Sequence, residues 1–308
     1  MNNINNNSAS IPPQLGRPRL LILGCGDVGM RLLPLVRARF RVFAVTSQPE
    51  RQAELRAAGA VPILADLDCR NSLRRLAHLA EHVVHLAPPP SDGARDGRTR
   101  NLCAILPEGV KMVYVSTTGV YGDCGGALID ETRPVAPKNP RARRRVDAET
   151  VLRTWAVQRR ARVSILRVPG IYARDRLPLK RLEQGTPALL AEHDVFTNHI
   201  HADDLARLVA RALFKGLPGR VYNAVDDTQM KMADYFDVVA DAFGMPRPPR
   251  LPRDALRAVV SPVLLSFMSE SRRLRNDRLK RELGLRLRYP DLRAAVAAMG
   301  LSKTGNCG

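Results

Sequence analysis

The chain has 308 residues, 45% of them apolar, which is enough to bury a sizeable core and excludes wholesale disorder. Its formal charge of +19 is spread along the chain, only 5% of residues are aromatic and no DNA or RNA recognition motif is present, so nucleic acid is not the expected partner. Cysteines at 25, 69, 103, 124 and 307 form no C-x-x-C pair and no metal spacing, which suits a reducing compartment, the cytoplasm.

The first residues, MNNINNNSASIPPQLGRP, lack a basic n-region and an apolar h-region, so a flexible tail over 1–17 is expected rather than a signal peptide. No apolar run approaches the roughly 18 residues of a membrane helix. Residues 20–29 then read Leu-Leu-Ile-Leu-Gly-Cys-Gly-Asp-Val-Gly, a buried strand running into G-x-G-x-x-G. In a dinucleotide-binding βα unit the first glycine permits the tight turn, the second lets backbone amides reach a pyrophosphate, and the third lets helix pack on strand. Gly24, Gly26 and Gly29 fit these roles, with Asp27 and Val28 between them at the helix start.

A helix is expected from about Val28 to Arg39, then a strand over Arg41 to Thr46, a helix over Glu50 to Ala58 and a strand over Val61 to Ala65. The alternation continues with a helix from Arg70 to Ala80, a strand from His82 to Leu86, a helix around Arg98 to Leu106 and a strand from Lys111 to Ser116. Beyond it come a helix at Ala148 to Gln158, a strand at Arg162 to Arg167, a helix at Ala202 to Leu213 and a short strand at Val221 to Ala224. This order predicts an α/β fold: a doubly wound, mostly parallel Rossmann sheet with ligands at the carboxyl ends of its strands. From Met230 the pattern is mainly helical and broken by Pro246, Pro248, Pro249 and Pro252. The expected division is a dinucleotide-binding domain over 18–228, with 173–199 contributing to a smaller C-terminal substrate lobe over 229–308.

Past the fifth strand the chain reads Val-Ser-Thr-Thr-Gly-Val-Tyr-Gly-Asp over 115–123. Arg167-Val-Pro-Gly-Ile-Tyr172, His199-Ile-His-Ala-Asp-Asp-Leu-Ala206 and Leu279-Lys-Arg-Glu-Leu-Gly284 follow in order. Together these segments resemble the extended short-chain dehydrogenase/reductases, the NAD-dependent epimerase/dehydratase group. The resemblance implies an oxidoreductase or epimerase acting on a small carbonyl, hydroxyl or nucleotide-sugar compound, with Thr117 holding a substrate oxygen and a possible homodimer through the sheet's flanking helices. For Thr117 the alternative is turn chemistry at a strand end.

The family's Tyr-x-x-x-Lys is replaced. Aligning Pro140 to Glu149 with the family pattern puts Arg141 at the tyrosine and Arg145 at the lysine. Arginine does not titrate in the useful range, so Arg141 cannot shuttle a proton, whereas Arg145 can hydrogen-bond a ribose. Tyr121, with a phenol lowered by nearby arginines, is the best candidate for a substitute proton donor, the alternative being packing beside the cofactor. The departure leaves a second reading open, a non-catalytic NADP-binding sensor or scaffold.

NAD sites carry an acidic residue about 20 positions after the glycine turn. Here that region is Val45-Thr46-Ser47-Gln48. Thr46, Ser47 and Arg51 suit a 2′-phosphate, so NADP is expected over NAD. The resemblance places Asp66 near adenine, unless it caps the following helix, and Ala87 and Pro88 along the cofactor's ribose side. His199, His201, Asp203 and Asp204 do not make a metal site by spacing, and Asp203 reads as a helix cap.

Overall fold

The computed structural model describes residues 16–301; most of the expected tail, and Cys307, lie outside the described residues. Seven strands build one sheet. They include β1 (Arg19–Leu23), β2 (Arg41–Thr46), β3 (Val61–Leu64), β4 (His82–His85) and β5 (Lys111–Thr117), with the strands Arg162–Val168 and Val221–Asn223 completing it. The spatial order is Val221–Asn223, Arg162–Val168, β5, β4, β1, β2, β3, and every neighbouring pair is parallel. The chain reverses direction across the sheet between β1 and β4, where doubly wound folds open a crevice for ligands.

The apolar strands are covered on both faces. Leu20 and Ile22 of β1 pack with α1 (Asp27–Val36), α2 (Gln52–Ala57) and the helix Ala202–Lys215, while Leu21 and Leu23 face α3 (Gly97–Cys103) and α4 (Pro140–Gln158). This alternation follows from the two-residue period of a strand and explains why β1 is hydrophobic without interruption.

Three local expectations differ from the structure. The segment after Cys69 is a 3₁₀ helix over Arg70–Leu76 that ends before His78, whose φ is 57°. The first helix stops at Val36. Most consequential, α4 begins eight residues earlier than its apolar pattern suggests. Asn139 Oδ1 accepts from Ala142 N at 2.9 Å and Pro140 occupies the first turn, so cap and proline start the helix although its leading turns are arginine-rich.

A buried ion pair fixes α4 to the sheet. Glu149 receives Arg167 Nη2 at 2.7 Å and Ser116 Oγ at 2.7 Å, with both charged side chains 5% exposed. The C-terminal part carries helices at Met232–Ala242, Arg253–Val259, Pro262–Phe267 and Leu292–Leu301. Its short strands Met230–Lys231 and Arg250–Leu251 pair with Phe196–Thr197 and Ala188–Leu189, so segment 173–199 and the chain after 228 share hydrogen bonds and one apolar cluster.

Candidate dinucleotide site and substrate cleft

The glycine turn has three different reasons for its glycines. Gly24 has φ 76°, and a Cβ there would lie 2.6 Å from the Ala87 backbone. Ala87 sits so close because its amide and that of Leu86 both donate to Leu23 O, at 3.0 and 2.9 Å. A Cβ on Gly29 would lie 2.8 Å from Cys25 Sγ and 3.4 Å from Leu86, so this glycine lets α1 pack on the strand ends. Gly26 is unlike both: its side-chain direction meets no atom within 4 Å. That leaves the N-terminus of α1, with its unpaired first-turn amides, approachable by an anion.

Asp27 lies in that first turn, where Arg31 and Arg176 each donate to its carboxylate at 2.9 Å. Burial works against ionisation, but these two arginines hold the Asp27 carboxyl below the usual range. Arg31 also reaches Asp203 at 2.6 Å and Asp175 at 3.0 Å, tying α1 to the loop after Tyr172 and to the helix Ala202–Lys215. Val28 is half-buried and packs its side chain on the core.

At the end of β2, Thr46 is 8% exposed, its Oγ1 accepts from Gln48 N at 3.1 Å, and Ser47 is exposed. Arg51 folds back over the glycine turn, donating to Cys25 O at 2.8 Å and to Glu54 at 2.9 Å. Below it the Cys25 thiol is pushed up to about 11 by burial. Asp66 is exposed, and its carboxylate accepts from Asp68 N at 2.9 Å. The residue preceding the 3₁₀ helix is Cys69, so Asp66 closes its own turn and does not cap that helix.

A cleft of about 720 Å³ opens between the carboxyl ends of β4 and β5 and the C-terminal helices, its wall starting at Pro88, next to the Ala87 backbone that Gly24 lies against. Pro88, Thr117, Arg141, Arg145, His199 and Tyr235 are on its wall. Thr117 ends β5 and its Oγ1 accepts from Gly119 N at 3.3 Å, so the turn chemistry considered from sequence coexists with a place on the cleft. Arg145 donates to Val115 O at 2.7 Å and to Tyr114 Oη at 3.1 Å, which fixes its guanidinium at the end of β5. Arg141 stacks 4.3 Å over Phe267 and donates to Ser266 Oγ at 3.1 Å, joining α4 to the opposite wall.

Tyr121 is not brought to this cleft. Its side chain is 1% exposed, its hydroxyl donates to Asn223 Oδ1 at 2.8 Å, and the Arg167 guanidinium covers its ring at 4.7 Å. Burial raises its pKa, and Arg167 only partly offsets that, so the lowered phenol expected from sequence is corrected to a raised one in the core. The histidine cluster is also structural. His199 packs 4.3 Å from Tyr235, and burial pulls its pKa down to about 3. His201 Nδ1 accepts from Asp203 N at 3.1 Å, so His201 caps the following helix and Asp203, expected as the cap, instead pairs with Arg31.

The sequence reading missed Tyr235 and Arg181, both on the cleft wall. Arg181 lies on the short helix Leu179–Glu183 and Tyr235 on the helix Met232–Ala242, and only tertiary placement brings them there. Among the described residues, no group of three or more His, Cys, Asp or Glu is placed to hold a metal ion, and no helix is long and apolar enough to cross a membrane.

A parallel sheet wound on both faces, with a glycine turn at one strand end and a cleft beside it, defines the dinucleotide-binding α/β class. The model of the NAD dependent epimerase/dehydratase family matches residues 20–224, and the chain belongs to that family. Among solved structures, a functionally unknown conserved protein from Silicibacter pomeroyi DSS is 30% identical, covering 93% of this chain and 99% of that one with a TM-score of 0.76. A UDP-glucose 4-epimerase from Thermotoga maritima, solved with UDP-glucose, shares the fold at 18% identity, a TM-score of 0.74 and coverage of 93% and 99%. Human dTDP-D-glucose 4,6-dehydratase is 28% identical over 130 residues, 40% of this chain and 37% of that protein. The chain thus matches well under half the length of that curated relative.

Proposed function

We propose that the chain is an NADP-preferring oxidoreductase or epimerase acting on a small carbonyl, hydroxyl or nucleotide-sugar compound. The observation that carries this reading is that Gly26, open to a ligand, and Thr117, on the cleft wall, both stand at the carboxyl edge of one parallel sheet. Gly24, Gly26 and Gly29, with the amides of Asp27 and Val28, would hold the pyrophosphate. Thr46, Ser47 and Arg51 would receive the 2′-phosphate, Asp66 the adenine, Ala87 and Pro88 the ribose side, and Arg145 the nicotinamide ribose. Bound there, the dinucleotide supplies or accepts a hydride.

Thr117 orients the substrate oxygen in this scheme. With Tyr121 engaged by Asn223, solvent in the cleft is the proton source. Loss of a positioned acid costs about 10²–10⁴-fold, which slows a reductase without removing hydride transfer. Segment 173–199 and residues after 228 form the substrate-facing lobe.

Fluorescence titration with NADPH and NADH, followed by a turnover screen on carbonyl compounds and nucleotide sugars, tests the reading. Tighter NADPH binding with turnover supports it. Binding without turnover favours the sensor or scaffold reading, which is motivated by Arg141 and Arg145 at the positions where the resemblance expects tyrosine and lysine. No binding of either dinucleotide sinks both.

A further inference from the structure

The cleft wall carries more positive charge than it neutralises. Arg272 is paired with Glu270 at 2.8 Å, and Arg176 with Asp27 at 2.9 Å. Arg141, Arg144, Arg145 and Arg181 line the same cleft, and none of them has a carboxylate partner among the described residues. Their acceptors are neutral: Ser266 Oγ, the carbonyls of Gly93, Val115 and Pro187, and the Tyr114 hydroxyl. Neutral acceptors satisfy N–H groups but leave the charge uncompensated.

Arg181 is the most demanding of these residues. It lies 4.0 Å over the Phe236 ring, Nη2 donates to Pro187 O at 2.8 Å, and Nε is buried without an acceptor. Burial lowers its pKa to about 10. A site that needed only packing there would be filled at less cost by an apolar side chain, since a desolvated cation without an anion is destabilising. Such groups in a cleft mark places where a ligand completes the electrostatics. The guanidinium fork fits a carboxylate or phosphate better than it fits a neutral hydroxyl.

We propose that the cleft takes a small acid, whose carboxylate or phosphate pairs with Arg181 while Arg141, Arg144 and Arg145 of α4 hold a positive field along the rest of the wall. The inference rests on the reading of this cleft as the substrate site beside the dinucleotide. It narrows that reading to anionic compounds, because an uncharged sugar or ketone leaves all four guanidinium groups without a counter-charge.

Isothermal titration of the full chain loaded with NADPH tests this with two matched pairs. One is 2-oxoglutarate against its dimethyl ester, and the other is dihydroxyacetone phosphate against dihydroxyacetone. The expected result is at least tenfold tighter binding of one acid than of its neutral twin, and the pair that shows it separates carboxylate from phosphate. In Arg181→Gln that ratio should fall below threefold, while Arg181→Lys should retain part of it. Arg141→Gln, at an exposed position, should reduce the ratio without disturbing the fold. No discrimination within either pair, or discrimination that persists in a folded Arg181→Gln protein, overturns the inference. NADPH binding is measured on the same samples: cofactor bound without acid preference removes only this inference, whereas no cofactor binding removes the reading beneath it.

Discussion

The Arg51 guanidinium donates to the carbonyl oxygen of Cys25 at 2.8 Å, although 26 residues separate them in the chain. A cation from the segment after β2 is thereby anchored on the glycine turn, beside a strand end that lacks a carboxylate. Arg51→Ala is expected to weaken NADPH binding at least tenfold and NADH binding less than threefold, measured by fluorescence titration. Equal losses would mean that Arg51 braces the turn and does not read the 2′-phosphate.

The glycines separate folding from binding. Gly24→Ala would combine a positive φ with a Cβ 2.6 Å from the Ala87 backbone, so a loss of roughly 2–5 kcal/mol is expected from conformational strain and overpacking together. Gly26→Ala meets no protein atom within 4 Å, so its melting temperature should stay within about 2 °C of the parent. Its NADPH affinity should nevertheless drop at least tenfold. A Gly26→Ala protein that binds NADPH normally would place the pyrophosphate elsewhere.

Tyr121→Phe removes the donor to Asn223 Oδ1 without changing shape. The expected cost is about 1–3 kcal/mol, because a buried acceptor is left unpaired. Thermal melting reads that cost, and the NADPH dissociation constant should not move. A 100-fold loss of turnover on any substrate found, with unchanged stability, would return Tyr121 to the chemistry.

Asp226 gives a pH signature. The residue is 3% exposed, and burial pushes its carboxyl up to about 8, with the Thr228 amide, at 3.0 Å, and the Thr228 hydroxyl favouring the charged form. Between the unfolded carboxyl's pKa, near 4, and about 8, the folded state keeps a proton that the unfolded state releases. Stability from this group is therefore present at acid pH and declines as pH rises through that window, by at most about 1.4 kcal/mol per unit. Asp226→Asn should melt at a similar temperature to the parent near pH 4 and above it at pH 8.5. Parallel pH profiles for the two proteins would show that Asp226 is ionised in the folded state.

The central sheet was legible because each strand carries its own apolar signal and the glycine turn marks the first crossover. The start of α4 was hidden behind Arg141 to Arg145, although Asn139 and Pro140 carry a start signal that does not depend on hydrophobicity. Tyr121 was left between two readings for a different reason. Its partner Asn223 is 102 residues away, so nothing near Val-Tyr-Gly in sequence announces that the hydroxyl is already engaged. Arg181 was likewise invisible, since its stacking on Phe236 joins two short helices that no local pattern links.

Arg176 stands on the wall of the cleft while its guanidinium grips Asp27 in the first turn of α1. An anion entering the cleft would compete for that arginine, and an anion at the glycine turn would repel its carboxylate partner. Occupancy at one place would thus be felt as a change of affinity at the other, with equal size in both directions. If dinucleotide and acid bind as proposed, the two binding steps are not independent events, and added salt, by loosening the Arg176–Asp27 contact, would retune both.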